Sequence, residues 1–229
     1  MPHQLSFDLP SKTALGRDDF FVAPSNAAAV AMIEGWQGWP SRKLVLIGPS
    51  GAGKTHLAHV WATLAGAQII KAQELASADI PALANTSVAV ENLDALAGNT
   101  EAEKALFHLH NLTLAQGNSL LLTATREVHL LGITLPDLVS RMQGTAAVAL
   151  SEPDDTLLMA VLMKLFADRQ LNPTPDVLPY LARHMARSFD AARSVVDALD
   201  AAALAQGREI NRKLACDVLN TQNATGSLF

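Results

Sequence analysis

The sequence predicts an α/β fold: a parallel sheet flanked by helices, built around a phosphate loop and followed by a small all-helical subdomain. Three observations carry this expectation. Gly48-Pro49-Ser50-Gly51-Ala52-Gly53-Lys54-Thr55 fits G-x-x-x-x-G-K-[ST] at every fixed position. The apolar run Lys43-Leu44-Val45-Leu46-Ile47 precedes it and helix-favouring residues 56–64 follow, which is the strand–loop–helix setting the motif requires. Strand-like runs recur as far as Leu150 and then give way to helical patterns alone.

In such a loop the glycines let backbone N–H groups turn inward around a phosphate. The helix that begins there adds the positive end of its dipole. Lys54 is expected to reach the outer phosphates and the Thr55 hydroxyl to sit on Mg²⁺. The expected ligand is therefore a nucleoside di- or triphosphate with Mg²⁺.

Composition narrows the class. A chain of 229 residues suits one α/β domain with a small appendage, and 49% apolar residues support a sizeable core. No apolar run reaches the ~20 residues that span a bilayer, and no basic segment leads into an apolar one near the N-terminus. A cytoplasmic protein is expected. The lone Cys216 excludes an internal disulfide and a cysteine-based zinc site. A net charge of −5 argues against strong direct DNA binding.

Residues 1–18 read as an extended arm, with apolar Leu5, Phe7 and Leu9 alternating with Gln4, Ser6 and Asp8 before a turn-rich stretch. The alternative is a tail that packs on its own domain. The core is expected over residues 19–151. Ser25 or Asn26 caps a helix over residues 27–36, which Gly38 and Pro40 end. Beyond the phosphate loop come a short strand at 67–70, a helical turn at 72–75 and a loop or short helix at 80–83. The strand at 87–90 runs into Glu91-Asn92. An acid that ends an apolar strand is where a phosphate-loop protein holds Mg²⁺, which assigns Glu91 to the metal.

Thr100-Glu101-Ala102-Glu103 reads as a capping box opening a helix to Gln116, with Leu106, Leu109 and Leu112 on its buried side. His108 and His110 stand two apart on it, so they do not share a face and read as ordinary surface or core histidines. A strand at 119–123 places Thr125 at its carboxyl end, where ligands bind in open α/β sheets, so Thr125 is a candidate to sense a γ-phosphate or position a water. A Pro-started helix at 135–142 carries Arg141, and residues 145–150 form the last strand. Residues 152–220 form the helical subdomain. Its helices are expected at 154–169 (capped by Ser151-Glu152-Pro153), 176–186, 188–206 (capped by Ser188) and 208–219. Residues 221–229 are expected to be a polar tail.

Phe21-Val22, Pro24-Ser25-Asn26, Gly53-Lys54-Thr55-His56-Leu57, and Leu135-Pro136-Asp137-Leu138 with Ser140-Arg141 together resemble the nucleotide-binding domain of the bacterial initiator DnaA, a member of the AAA+ class. The resemblance covers residues 19–220 and makes residues 152–220 the AAA+ lid. It implies that Val22, residues 48–55 and His56 surround ADP or ATP, and that Arg141 is an arginine finger acting in trans. A lid arginine should face the phosphates. Its place falls on Asp190, with Arg187 and Arg193 one turn to either side and Arg193 favoured.

Three departures from DnaA stand out. No helix-turn-helix module is expected after the lid. Asn92 replaces the second of two acids, the one that polarises the attacking water, and offers no basic oxygen. The arm Gln4-Leu5-Ser6-Phe7-Asp8-Leu9 resembles the peptide by which proteins dock on the sliding clamp. With these features the chain resembles the Hda family of DnaA-homologous regulators. That implies little or no ATP hydrolysis of its own, with DnaA and the DNA-loaded clamp as partners. It also implies stimulated hydrolysis of DnaA-bound ATP and negative regulation of replication initiation. A homo-oligomer is compatible with the pattern. The competing readings are a self-sufficient ATPase, such as a helicase loader or clamp-loader subunit, and a shortened DnaA-type initiator. Asn92 counts against the first and the acidic balance against the second.

Overall fold

A computed structural model describes residues 20–226, with side chains described as far as Gln222. The arm residues Gln4, Leu5, Ser6, Phe7, Asp8 and Leu9 lie outside the described residues. The α/β unit runs α1 (Ala27–Glu34), β1 (Lys43–Ile47), α2 (Lys54–Ala65), β2 (Gln68–Lys71), α3 (Ile80–Ala84), β3 (Val88–Glu91), α4 (Thr100–Ala115), β4 (Leu120–Ala124), α5 (Pro136–Gln143) and β5 (Ala146–Ala149). The sheet order is β2-β3-β4-β1-β5. Every pairing is parallel, with Leu44 opposite both Leu121 and Ala146.

Parallel strands need a crossover between them, and those crossovers cover both faces of the sheet. On one face Val45, Val88, Val90, Leu120 and Leu122 pack with Leu106 and Leu109 of α4 and Leu138 and Met142 of α5. On the other, Leu44, Leu46, Ala89 and Leu121 pack with Ile33 of α1 and Leu57 and Trp61 of α2. Trp39 stacks on Trp61 at 5.2 Å and its indole N–H donates to the Met32 carbonyl, which fixes the chain between α1 and β1. Four helices follow: α6 (Asp155–Asp168), α7 (Val177–His184), α8 (Phe189–Gln206) and α9 (Arg212–Gly226). They share a separate core that includes Leu162, Phe166, Leu181, Val196, Leu199 and Leu214.

Several boundaries differ from the sequence expectation. α1 stops at Glu34, and residues 36–38 form a 3₁₀ turn that breaks away at Gly35. The N-cap of α4 is Asn99, whose Oδ1 accepts the Ala102 N–H, so Thr100 is already helical and the expected capping box is absent. Leu112 is 38% exposed. The buried stripe of α4 runs through Leu106, Leu109, His110 and Thr113, and polar His110 takes a core position. His108 is exposed. Asp154, not the Ser151-Glu152-Pro153 stretch, caps α6 by accepting from Leu157 N–H. α9 continues to Gly226, past Leu219 and into the stretch read as a tail.

Glu103 is fully buried for a reason the sequence did not disclose. Its carboxylate accepts from Thr134 N–H, the Thr134 hydroxyl and Leu135 N–H, which fixes the turn entering α5. Glu103→Ala would leave these buried donors without an acceptor. It should cost about 3 kcal/mol in urea unfolding, and Glu103→Gln, which keeps one acceptor oxygen, should cost less.

Candidate nucleotide-binding site

The loop after β1 has the geometry of a phosphate cradle. Gly51 and Gly53 adopt φ +72° and +96°, a left-handed backbone that L side chains rarely adopt. A side chain on Gly53 would also meet the rings of Phe189 and Phe20 at 3.0 and 3.2 Å. Lys54 Nζ donates to the carbonyl oxygens of Gly48 (2.6 Å) and Pro49 (2.9 Å). Burial pulls the Lys54 ammonium below its ordinary value of 10.5, and the carboxylates of Asp94, Asp190 and Glu91 oppose that fall. Thr55 is exposed in the first turn of α2. His56 packs edge-on against Phe20 at 5.0 Å, and Val22 lies exposed nearby in sequence, before α1.

Glu91 ends β3, and its Oε1 is buried with no hydrogen-bond partner among the described residues. A buried carboxylate oxygen without a donor calls for a cation, so Glu91 and Thr55 fit a Mg²⁺ site. Asn92 follows with φ 61° and ψ 59°. Asn tolerates this conformation better than most residues, and its N–H donates to Thr123 Oγ1 at 3.0 Å. Asn92 thus turns the chain out of the sheet as well as lacking a basic oxygen.

Thr125 is not free to meet a phosphate as the sequence suggested. Its N–H and hydroxyl both donate to Asp94, at 2.8 and 2.5 Å, and Arg126 Nε lies 3.7 Å from the same carboxylate. Asp94 is the site residue that sequence reasoning missed. The available signal was an acid three residues beyond Glu91, in the turn that leaves β3.

The helical subdomain closes on the loop. Phe189 N–H, at the start of α8, donates to the Gly51 carbonyl at 2.8 Å, and Ser188 Oγ caps that helix by accepting from Ala191 N–H. Of the two flanking arginines, Arg187 pairs with Asp155 of α6 at 2.6 Å, while Arg193 lies 3.5 Å from Asp190.

Arg141 lies at the opposite end of the sheet. Its carbonyl accepts from Lys43 Nζ (2.9 Å), on the first residue of β1, and from Thr145 Oγ1 (3.0 Å). Its side chain is exposed and has no carboxylate partner among the described residues. Lys43 Nζ also lies 3.3 Å from His110 Nε2, while His110 Nδ1 lies 3.2 Å from Asn111 Oδ1. An Nδ1–H tautomer satisfies both contacts: it donates to Asn111 and accepts from the ammonium. Burial, with Lys43 and Arg141 alongside, holds His110 below the ordinary 6.5.

A histidine whose folded value is depressed takes its proton first in the unfolded chain. Its contribution is therefore complete above pH 6.5 and is lost as pH falls toward the folded value. Urea midpoints should drop on acidification from neutral pH to about 5.5, and the drop should be smaller in His110→Gln. An equal drop in both proteins would contradict this placement of the proton.

No family model matches the chain. A Haemophilus influenzae protein described as uncharacterized is 28% identical over 183 residues, covering 76% of this chain and 79% of its own. The chromosomal replication initiator protein DnaA of Cutibacterium acnes is 25% identical over 189 residues, covering 72% of this chain. This chain spans only 38% of that initiator. Among solved structures, domain III of Thermotoga maritima DnaA superposes with a TM-score of 0.80 at 20% identity, covering 93% of this chain and 98% of that one. AMPPCP-bound DnaA from Aquifex aeolicus gives 0.67 at 18% identity over 80% of this chain and 64% of its own. The chain therefore has the AAA+ fold of DnaA domain III.

Proposed function

We propose that this chain is a regulator of the Hda type: it binds ADP or ATP with Mg²⁺ in the loop at residues 48–55 and supplies Arg141 to ATP held by DnaA. The observation that carries the proposal is the separation of the two ends of β1. The phosphate loop follows Ile47, whereas the Arg141 backbone is held at Lys43. Four residue steps at about 3.3 Å each put some ~13 Å of strand between them. The Arg141 backbone is thus at the far end of β1 from its own chain's loop, which supports a nucleotide on a neighbouring molecule as its target.

Within the chain's own site, backbone N–H groups of the loop hold the phosphates and Lys54 neutralises them. Glu91 and Thr55 would hold the metal, which would supply charge neutralisation at the phosphates. Asn92 cannot take a proton from water, so bound nucleotide would persist beneath the start of α8, whose Phe189 N–H already bonds the Gly51 carbonyl. Arg193 is the helical subdomain's candidate for the phosphates. A guanidinium delivered in trans stabilises charge on a transferring phosphoryl group without reacting itself. The arm at residues 4–9 suits strand-like docking of alternate side chains on the sliding clamp. That docking would bring Arg141 to DnaA on clamp-loaded DNA and dampen initiation. A DnaA-related role in the cytoplasm fits the described residues, none of whose helices is long and apolar enough to cross a membrane.

The test is hydrolysis of DnaA-bound ATP on clamp-loaded DNA. Arg141→Ala should lose most of the stimulation, which for such fingers is on the order of 10³–10⁵ in rate, with unchanged thermal stability and nucleotide affinity. Arg141→Lys should fail nearly as badly, because a point charge does not reproduce the planar fork. Full stimulation by the Ala variant would move the finger elsewhere, with Arg126 next.

A further inference from the structure

We propose that Asp190, in the first turn of α8, makes the phosphate-loop site select a nucleoside diphosphate over the triphosphate. This rests on the nucleotide reading above. The carboxylate stands directly over the loop. A methyl group placed on Gly51 would lie 2.5 Å from Ser188 Cβ and 3.3 Å from Asp190 Oδ2. The bond from Phe189 N–H to the Gly51 carbonyl fixes this approach from the preceding residue.

The start of a helix ordinarily attracts an anion. Here α8 brings its own anion to the loop. Among the described residues, Asp190 has one ion-pair partner, Arg193 at 3.5 Å, so that guanidinium is already drawn toward a carboxylate.

A diphosphate ends within the cradle formed by residues 48–55. A triphosphate extends further and brings an additional negative charge toward Lys54. Three carboxylates act on that lysine: Asp94, Asp190 and Glu91. Asp94 is bound by Thr125 and faces Arg126, and Glu91 is committed to the metal in the reading above. Asp190 remains, 71% exposed on its side chain and carried by the element that closes over the loop. It opposes the added charge, and it withholds Arg193 from it. Both effects weigh more on the triphosphate, which carries the larger charge, than on the diphosphate.

The experiment is calorimetric titration of the full chain with ADP and with AMPPCP, each with Mg²⁺. Wild type should favour ADP by about tenfold or more, the scale of one added unit charge near another in partly solvated surroundings. Asp190→Asn should bring the two affinities close together, mainly by tightening AMPPCP. Asp190→Glu, which keeps the charge, should retain the preference. A wild-type ratio near one, or a ratio unchanged in Asp190→Asn, overturns the assignment of Asp190. Wild type binding neither nucleotide would sink the nucleotide reading itself, and this inference with it.

Discussion

All five strands run in one direction, and the rest of the molecule follows from that constraint. Parallel pairing sends every strand's carboxyl end to the same edge of the sheet. There the loop after β1, Glu91-Asn92 after β3 and Thr125-Arg126 after β4 converge, although dozens of residues separate them in sequence. The opposite edge collects Lys43, Thr145 and the last turn of α5. One edge carries the glycine loop, Lys54 and the buried Glu91 carboxylate. The other presents an arginine whose backbone is fixed and whose side chain is unpaired among the described residues.

α4 connects the two ends of the arginine-bearing helix. Glu103 and His110 stand seven residues apart, two turns of one helix, so they occupy the same face. Glu103 holds the turn entering α5 through Thr134 and Leu135, and His110 meets Lys43, which holds the Arg141 carbonyl near its end. An eight-residue helix would be marginal by itself. Here hydrogen bonds fix both ends and Leu138 and Met142 anchor its middle in the core. Among the described residues, the Lys43 ammonium has no carboxylate beside it and relies on a carbonyl and an imidazole. That arrangement is costly in charge, and it places the lysine where the α5 backbone must be held.

Much of this was legible in advance because local chemistry dictated it. The loop at 48–55 needs glycines and lysine at fixed spacings, and the consecutive apolar residues 44–47, 88–90 and 120–122 of β1, β3 and β4 leave neither face of those strands suited to water. The cap of α8 was also readable, since Ser188 at a break before a periodic run has one obvious partner. What stayed hidden depends on neighbours distant in sequence. Glu103 has the spacing of a capping box, yet Asn99 takes the cap because the loop at 134–135 offers Glu103 three donors. Thr125 sits where a phosphate contact is expected, yet Asp94, 31 residues earlier, occupies both its donors. Leu112 looked buried from composition, but the facing elements select the stripe through His110 and Thr113 instead. No single-residue pattern announces a lysine at the start of a buried strand as the anchor of a helix 98 residues away.

The proposed function is a division of labour, in which this chain would hold nucleotide without hydrolysing it and complete hydrolysis on another protein. The most direct measurement loads γ-labelled ATP either on this chain or on DnaA, mixes the two proteins on clamp-loaded DNA, and follows label release in a single turnover. The account predicts fast release only when the label starts on DnaA, and slow release from this chain under every condition. Fast release from label loaded on this chain, with none accelerated on DnaA, would contradict it.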